Sequence, residues 1–538
     1  MGTRRVSLCQ VDDLSAGEMQ QFSAEEKEIL LACVSEGRFV ATAAKCSHYG
    51  APLEKGVLCG SRVVCPWHNA CFSLEDGSQL EPPGRDNLAS YTVQIEDGAV
   101  CVELPEDEQD HVTPAMAEKD TAQDERRFVI VGGGAAGMAA AEKLRAVGFE
   151  GEVLVLSAEE SLPYDRTKLS KAALQNDAFD GPDLLRSPNF YHQHGIDIKP
   201  NAPVSKLDVK AQTVTYGEGE TVEYDALLIA TGGKVRSLPI KNSDKPNVFT
   251  IRKVQDTQQI VEAAKGAKQA VIIGSGFIGM EAASSLRQKG LDVTVVSPNE
   301  VPFKKVLGEK VGKLFQQVHE SKGVTFKLGQ KATALNGGDK VDSVELDNGE
   351  MLPADIVIVG IGVAPATDFI EGLALDNDDK SVLVNQYLQA APNVYAAGDI
   401  AQFPHFMTGQ PNRIEHWRLA MQQGQVAAQN MAQDVNSATS EDMVPFKAVP
   451  FFWSGQFDMK LRYVGHSENY DEVVIQGSLE DKAFLAFYPE EDTVMAVAGV
   501  GRDRDIAAIS ELMRLGKMPL ASEVKQKDID WREQLALV

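Results

Sequence analysis

The stretch Phe128-Val129-Ile130-Val131-Gly132-Gly133-Gly134-Ala135-Ala136-Gly137 permits few folds. Four apolar, mostly β-branched residues predict a buried strand. Gly132, Gly134 and Gly137 then match the Gly-x-Gly-x-x-Gly turn that brings a helix N-terminus to a dinucleotide pyrophosphate. An alanine-rich helix follows, and Glu159 closes the next strand, Glu152-Val153-Leu154-Val155-Leu156, 22 residues past Gly137. That is close to the roughly 20-residue spacing at which a carboxylate takes ribose hydroxyls. A second turn of the same kind, Gly274, Gly276 and Gly279, stands inside Ala270-Val271-Ile272-Ile273-Gly274-Ser275-Gly276-Phe277-Ile278-Gly279-Met280-Glu281. One such turn is a weak signal, because glycine-rich turns also arise for steric reasons. Two of them predict two neighbouring dinucleotides, one retained and one exchanging.

A chain of 538 residues exceeds what a single core supports, so three or four domains are expected. The net charge of −26 argues against nucleic acid and against an anionic membrane surface, leaving solubility or a basic protein partner as its use. No run of eighteen apolar residues predicts a membrane span. The segment Met1-Gly2-Thr3-Arg4-Arg5-Val6-Ser7 has no apolar signal region, and Val6 stands where a myristoylation pattern wants Ser or Thr. A cytoplasmic protein is therefore expected.

All seven cysteines (9, 33, 46, 59, 65, 71 and 101) lie in the first 101 residues. Clustered cysteines and histidines in an intracellular chain point to metal rather than disulfides. The region after residue 127 has no cysteine, so dithiol–disulfide chemistry is excluded there.

Short alternating runs before residue 104, such as Phe39-Val40-Ala41-Thr42 and Tyr91-Thr92-Val93-Gln94-Ile95, read as small antiparallel strands. Two loops interrupt them: Cys46-Ser47-His48-Tyr49-Gly50-Ala51-Pro52-Leu53 and Cys65-Pro66-Trp67-His68-Asn69-Ala70-Cys71. Two thiolates and two imidazoles suit tetrahedral zinc, though Cys-x-His is a rare first half-site. The loops resemble those of Rieske proteins, in which two cysteines bind one iron of a 2Fe–2S cluster and two histidines the other. That resemblance makes Cys46, His48, Cys65 and His68 the ligands. Ala51 and Trp67 stand where high-potential members carry a disulfide, and Ala70 and Phe72 replace hydroxyls that donate to sulfur. Fewer donors leave the reduced cluster less stabilised, so a potential near the bottom of the roughly −150 to +300 mV Rieske range is expected. Asn69 replaces the usual glycine, and asparagine tolerates positive φ. The remaining cysteines read as small buried residues.

Residues 103–126, rich in acid and without hydrophobic periodicity, predict a solvated connection. Beyond it the chain resembles flavoproteins of the glutathione-reductase type, in which the first glycine turn binds FAD and the second NAD(P)H. Supporting segments are Leu228-Ile229-Ala230-Thr231-Gly232-Gly233, Val359-Gly360-Ile361-Gly362-Val363-Ala364-Pro365 and Val394-Tyr395-Ala396-Ala397-Gly398-Asp399-Ile400. The resemblance puts Thr231, Gly232 and Asp399 in the FAD site, Asp399 at the ribityl chain.

Within that superfamily, Pro163-Tyr164-Asp165-Arg166-Thr167-Lys168-Leu169-Ser170-Lys171 and Arg413-Ile414-Glu415-His416-Trp417 are similar to the ferredoxin-reductase and apoptosis-inducing-factor-like branch. This implies Arg166 and Lys171 near the flavin ring, Lys171 paired to Glu281, and Trp417 at the flavin edge. A solvated helix lysine and a core tryptophan are the plain alternatives. The strand Val293-Thr294-Val295-Val296 ends in Ser297 where an acid would take the NAD ribose. Neither arginine nor a terminal acid stands there, though Lys304 and Lys305 are near in sequence. NADH is favoured slightly, with NADPH open.

The expected architecture is multidomain. A small all-β Rieske domain (1–104) and an acidic linker (105–126) precede two α/β Rossmann-like domains. FAD takes 127–248 and 366–444, NAD(P)H takes 249–365, and an α+β C-terminal domain (445–538) follows, which the resemblance makes a homodimer contact. The function this implies is an NAD(P)H-dependent oxidoreductase passing electrons through FAD and the cluster to an unidentified acceptor. An NAD(P)H oxidase and an NAD(P)H-responsive redox sensor are the alternatives.

Overall fold

The computed structural model describes residues 3–105, 109–433 and 442–538. Its contacts divide it into two compact units. One comprises Met1–Ala115, Ala448–Trp453 and Leu461–Val538; the other comprises Met116–Lys447 and Ser454–Lys460.

The first unit begins as the expected all-β module. Strands Thr3–Gln10, Ala99–Pro105, Ser90–Glu96, Arg38–Ala43, Lys27–Ser35 and Glu18–Ala24 form a six-stranded sheet in that order, and every measured pairing in it is antiparallel. Alternating side chains bury Leu30, Ala32, Ala41, Val100 and Val102 in one core. A smaller sheet of Val57–Cys59, Arg62–Val64, Cys71–Ser73 and Gln79–Glu81 carries the two Cys/His loops at its ends. The same unit holds most of the C-terminal region. Its five-stranded sheet runs Phe451–Gln456, Met459–Gly465, Thr493–Val500, Ala483–Glu490, Val474–Ser478, with helices Asp503–Arg514, Ala521–Gln526 and Trp531–Ala536.

The second unit contains two doubly wound sheets. In the first, Ile196–Lys199, Glu152–Leu156, Arg127–Val131, Ala226–Ile229 and Val394–Ala396 lie parallel, and Gln389–Ala391 adds an antiparallel edge. In the second, Val248–Phe249, Ile356–Val359, Gln269–Ile273, Asp292–Ser297 and Val324–Leu328 are all parallel. The strands entering the glycine turns, Arg127–Val131 and Gln269–Ile273, lie inside their sheets. A helix follows each, Ala135–Ala146 and Phe277–Gln288. Helix Trp417–Ala432 packs on the first of these so closely that a Cβ on Gly424 would meet the Ala136 carbonyl at 2.1 Å.

The acidic connection is more structured than its composition implies. Residues 106–108 lie outside the described residues. In the first unit, Asp110 pairs with Lys27 at 3.2 Å, and the His111 ring meets the Lys45 carbonyl at 2.9 Å. His111–Val112 also forms a short ladder with Asn87–Leu88. In the second unit, Ala117 donates to the Arg145 carbonyl and Lys119 pairs with Asp197 at 2.7 Å. Backbone ladders and local ion pairs need no apolar periodicity, and none of residues 109–126 is buried, so the connection is solvated yet locally tied down.

Among the described residues, no helix is long and apolar enough to cross a membrane.

Candidate functional site

The two Cys/His loops are built alike. Cys46 N–H donates to the Ala51 carbonyl and Gly50 N–H to the Cys46 carbonyl. Likewise Cys65 N–H donates to Ala70 and Asn69 N–H to Cys65. Each turn needs a left-handed residue four positions after its cysteine. Gly50 supplies it at φ 70° and Asn69 at φ 60°, so the expected tolerance of asparagine holds.

These turns aim all four candidate ligands inward. Cys46 and Cys65 are buried with their thiols within hydrogen-bonding reach of each other. The His48 and His68 Nδ1 atoms face each other at 3.1 Å. Among the described residues, no three or more Cys, His, Asp or Glu side chains converge as they would around a single ion. The donors instead form a sulfur pair and a nitrogen pair. A tetrahedral zinc wants all four at one point, whereas a cluster with two cysteines on one iron and two histidines on the other wants two pairs. The site therefore fits a 2Fe–2S cluster. The Tyr49 ring stacks on His48 with centroids 3.7 Å apart. Ala70 and Phe72 are buried beside the loops without a hydroxyl to offer.

Both glycine turns show the division of labour the spacing predicts. Gly132 (φ 114°) and Gly274 (φ 116°) turn where a Cβ would strike the Ala230 and Gly360 carbonyls at 2.3 and 2.2 Å. Gly137 and Gly279 let helix and strand touch: a Cβ there would meet the Gly132 and Gly274 carbonyls at 1.9 and 2.3 Å. Gly134 and Gly276, at the helix N-caps, face open space. That opening is where a pyrophosphate approaches the helix N–H groups. Both cradles fit dinucleotides.

Glu159 follows the first sheet's strand as expected and sits in a polar cluster. Arg166 pairs with it at 2.8 Å, and the Tyr164 hydroxyl donates to its other oxygen. Burial pushes the Glu159 carboxyl up, but the Arg166 charge and these hydrogen bonds outweigh it and hold the group below its ordinary value. Arg166 also donates to the Arg252 carbonyl at 2.8 Å. It thus stands with Glu159, and Lys171 finds a different partner.

Lys171 and Glu281 do meet, at 2.9 Å. Glu281 lies on the helix after the second glycine turn and is only 3% exposed. It also accepts from the Ser170 and Ser454 hydroxyls, the latter at 2.7 Å on its second oxygen. One buried carboxylate therefore gathers the first dinucleotide domain, the second, and the C-terminal strand. Asp399 follows Gly398, whose N–H donates to Gln423 at 2.7 Å. Its carboxylate pairs with Arg252 at 3.4 Å, and its carbonyl accepts from Arg413 at 2.9 Å. Thr231 donates to the Ala366 carbonyl, and Gly232 takes φ 67°. Trp417 opens helix Trp417–Ala432, half-buried.

Ser297 is buried, and its Oγ is 2.8 Å from that of Ser275 in the glycine turn and accepts from Asn299 N–H. A hydroxyl so engaged braces the turn. Pro298, Asn299 and Glu300 are exposed beyond it, and Glu300 pairs with Lys304 at 3.4 Å.

Sequence reasoning missed Ser170, Ser454, Tyr164, Arg252 and Trp453, which touch the predicted residues. Tyr164 and Ser170 lie inside a motif already singled out, so their neighbours gave a signal. Ser454 and Arg252 are distant in the chain and gave none.

Three family models match the chain: pyridine nucleotide-disulphide oxidoreductase over residues 126–424, reductase C-terminal over 451–535, and Rieske [2Fe-2S] domain over 4–92. The chain is 36% identical to apoptosis-inducing factor 3 from Homo sapiens, covering 98% of this chain and 87% of that one. It is 32% identical to rhodocoxin reductase from Rhodococcus erythropolis, covering 76% and 94%. Among solved structures, a ferredoxin reductase from Rhodopseudomonas palustris superposes with a TM-score of 0.70 at 29% identity, covering 76% and 99%. The covalent complex of putidaredoxin reductase with putidaredoxin gives 0.71 at 28%, covering 77% and 98%.

Proposed function

Because the chain belongs to the pyridine nucleotide-disulphide oxidoreductase family and carries a Rieske domain and a reductase C-terminal domain, we propose that it is an NADH-dependent electron-transfer oxidoreductase with its own one-electron carrier. The observation that carries this reading is the split of the cluster ligands into a sulfur pair and a nitrogen pair on a chain with two dinucleotide cradles. FAD, when bound, accepts the two electrons of a hydride and releases them singly, and the 2Fe–2S cluster takes one. Where the similar ferredoxin reductases serve a ferredoxin, this chain holds an iron–sulfur module in cis. The final acceptor is a one-electron carrier.

The chain's own groups prepare these transfers. Gly132, Gly134 and Gly137 admit the FAD pyrophosphate, and Gly274, Gly276 and Gly279 that of the nicotinamide dinucleotide. Glu159, aligned by Arg166 and Tyr164, accepts from ribose hydroxyls. Asp399, Thr231 and Gly232 shape the FAD site, and Trp417 flanks it. Lys171 supplies a cation that stabilises negative charge on the reduced isoalloxazine, and Glu281 keeps that ammonium in place. No dithiol takes part, since no cysteine follows Cys101.

Glu300 is the exposed acid past the second sheet's strand, so it repels a 2′-phosphate and supports NADH. Glu300→Gln should lower the kcat/KM preference for NADH over NADPH about two- to fivefold, the scale of one exposed charge interaction. An unchanged ratio removes Glu300 from the selectivity.

The missing hydroxyls give a second expected outcome. Ala70→Ser should add a donor near cluster sulfur and raise the midpoint potential by about 50 mV, close to a tenfold shift of the one-electron equilibrium. Potentiometry with EPR detection checks it.

Anaerobic titration tests the whole reading. The holoprotein should consume about 1.5 equivalents of NADH, two electrons for FAD and one for the cluster. An end point at one equivalent, with cluster bands intact, would sink it.

A further inference from the structure

The cluster face is partly covered by this chain's own C-terminal region. The Trp453 indole packs against His68 with ring centroids 4.3 Å apart and lies 6.1 Å from His48. Polar contacts within the same unit hold that arrangement. Asn69, next to His68, donates its side-chain amide to Ser510 at 2.8 Å. Arg62, in the strand leading to Cys65, pairs with Glu511 at 3.1 Å, and Glu511 is 1% exposed. Arg514 also pairs with Glu511, at 2.7 Å, and Arg504 donates to the Gly56 carbonyl at 2.9 Å. Buried, multiply hydrogen-bonded charge pairs fix register because breaking one strands a charge in a dry interface. More than 380 residues separate His68 from Trp453 along the chain.

We propose that Trp453 is a positioning residue for the iron–sulfur centre, covering ligand His68 and keeping water from it, with the Arg62–Glu511 pair holding that cover in place. The proposal rests on the reading of His68 as a ligand. An apolar ring over a ligand lowers the local dielectric, which disfavours the more negative reduced cluster and lowers its potential. Tryptophan suits this position because its broad apolar ring system covers an imidazole and brings no charge. The C-terminal region thus acts on the cluster's redox poise as well as on the flavoprotein.

The test is potentiometry of the full-length holoprotein with EPR detection, comparing wild type, Trp453→Ala, Trp453→Phe and Glu511→Ala. Trp453→Ala should favour the reduced form about tenfold, an upward shift of ~59 mV for a one-electron couple, and should change the g-values. Trp453→Phe should restore most of the wild-type potential. Glu511→Ala should shift the potential in the same direction with all ligands intact, and it serves alone if Trp453→Ala does not fold. A Rieske signal in wild type with unchanged potential and g-values in Trp453→Ala, or in Glu511→Ala if that variant alone folds, overturns the proposal. No Rieske signal in wild type overturns the ligand reading and the proposal together.

Discussion

Replacing His68 with alanine should erase the iron–sulfur chromophore and EPR signal while FAD remains bound. His68 Nδ1 is one of only two nitrogens facing each other in the loops, so its loss leaves one iron with a single protein ligand. The glycine cradle for FAD uses residues 132–137 and shares nothing with the second loop. Flavin absorbance per chain should therefore stay near wild type, and NADH should still bleach it. Reduction of one-electron acceptors should fall by about 10²-fold or more if electrons leave through the cluster, since the flavin then lacks its single-electron exit. Retention of the cluster signal would refute the ligand assignment.

Glu281→Ala should be the most damaging change in the flavoprotein. Its carboxylate accepts from Lys171, Ser170 and Ser454. Deleting it strands an ammonium and two hydroxyls at a nearly dry junction. Breaking a buried pair costs about 3–5 kcal/mol, and partial exposure of Lys171 puts the expectation near the lower end. Thermal unfolding should fall by several degrees as a result. Because the ammonium loses its tether, flavin reduction by NADH should slow by about 10²-fold, the scale of a small misplacement near the reacting atoms. Glu281→Gln keeps one acceptor oxygen and should lie between. Equal rates in all three proteins would remove the pair from the flavin chemistry.

What was legible in the chain follows from how local each constraint is. The glycine turns were readable because steric exclusion acts within a few residues: Gly137 must touch Gly132 whatever the rest of the fold does. The cluster loops were readable because ligand types and spacing state their own chemistry. Asn69 could be judged from its φ tolerance alone. Partner choice was harder. Arg166 sits seven residues from Glu159 and five from Lys171 in sequence, yet the fold gives it to Glu159. Ser297 stands at the strand end, and its contact with the Ser275 hydroxyl in the glycine turn left no trace in the spacing. The acidic connection looked featureless because ion pairs such as Lys119–Asp197 leave no periodic trace. Ser454 and Trp453 reach their partners through tertiary folding across hundreds of residues, which spacing does not record.

The central claim is that electrons pass from NADH through the flavin to the cluster in one chain. Anaerobic stopped-flow mixing with NADH, following flavin and cluster absorbance together, tests it most directly. The account predicts flavin bleaching first, then bleaching of the cluster bands at a rate independent of protein concentration, as transfer within one molecule requires. Cluster bands that never bleach while the flavin is fully reduced would contradict it.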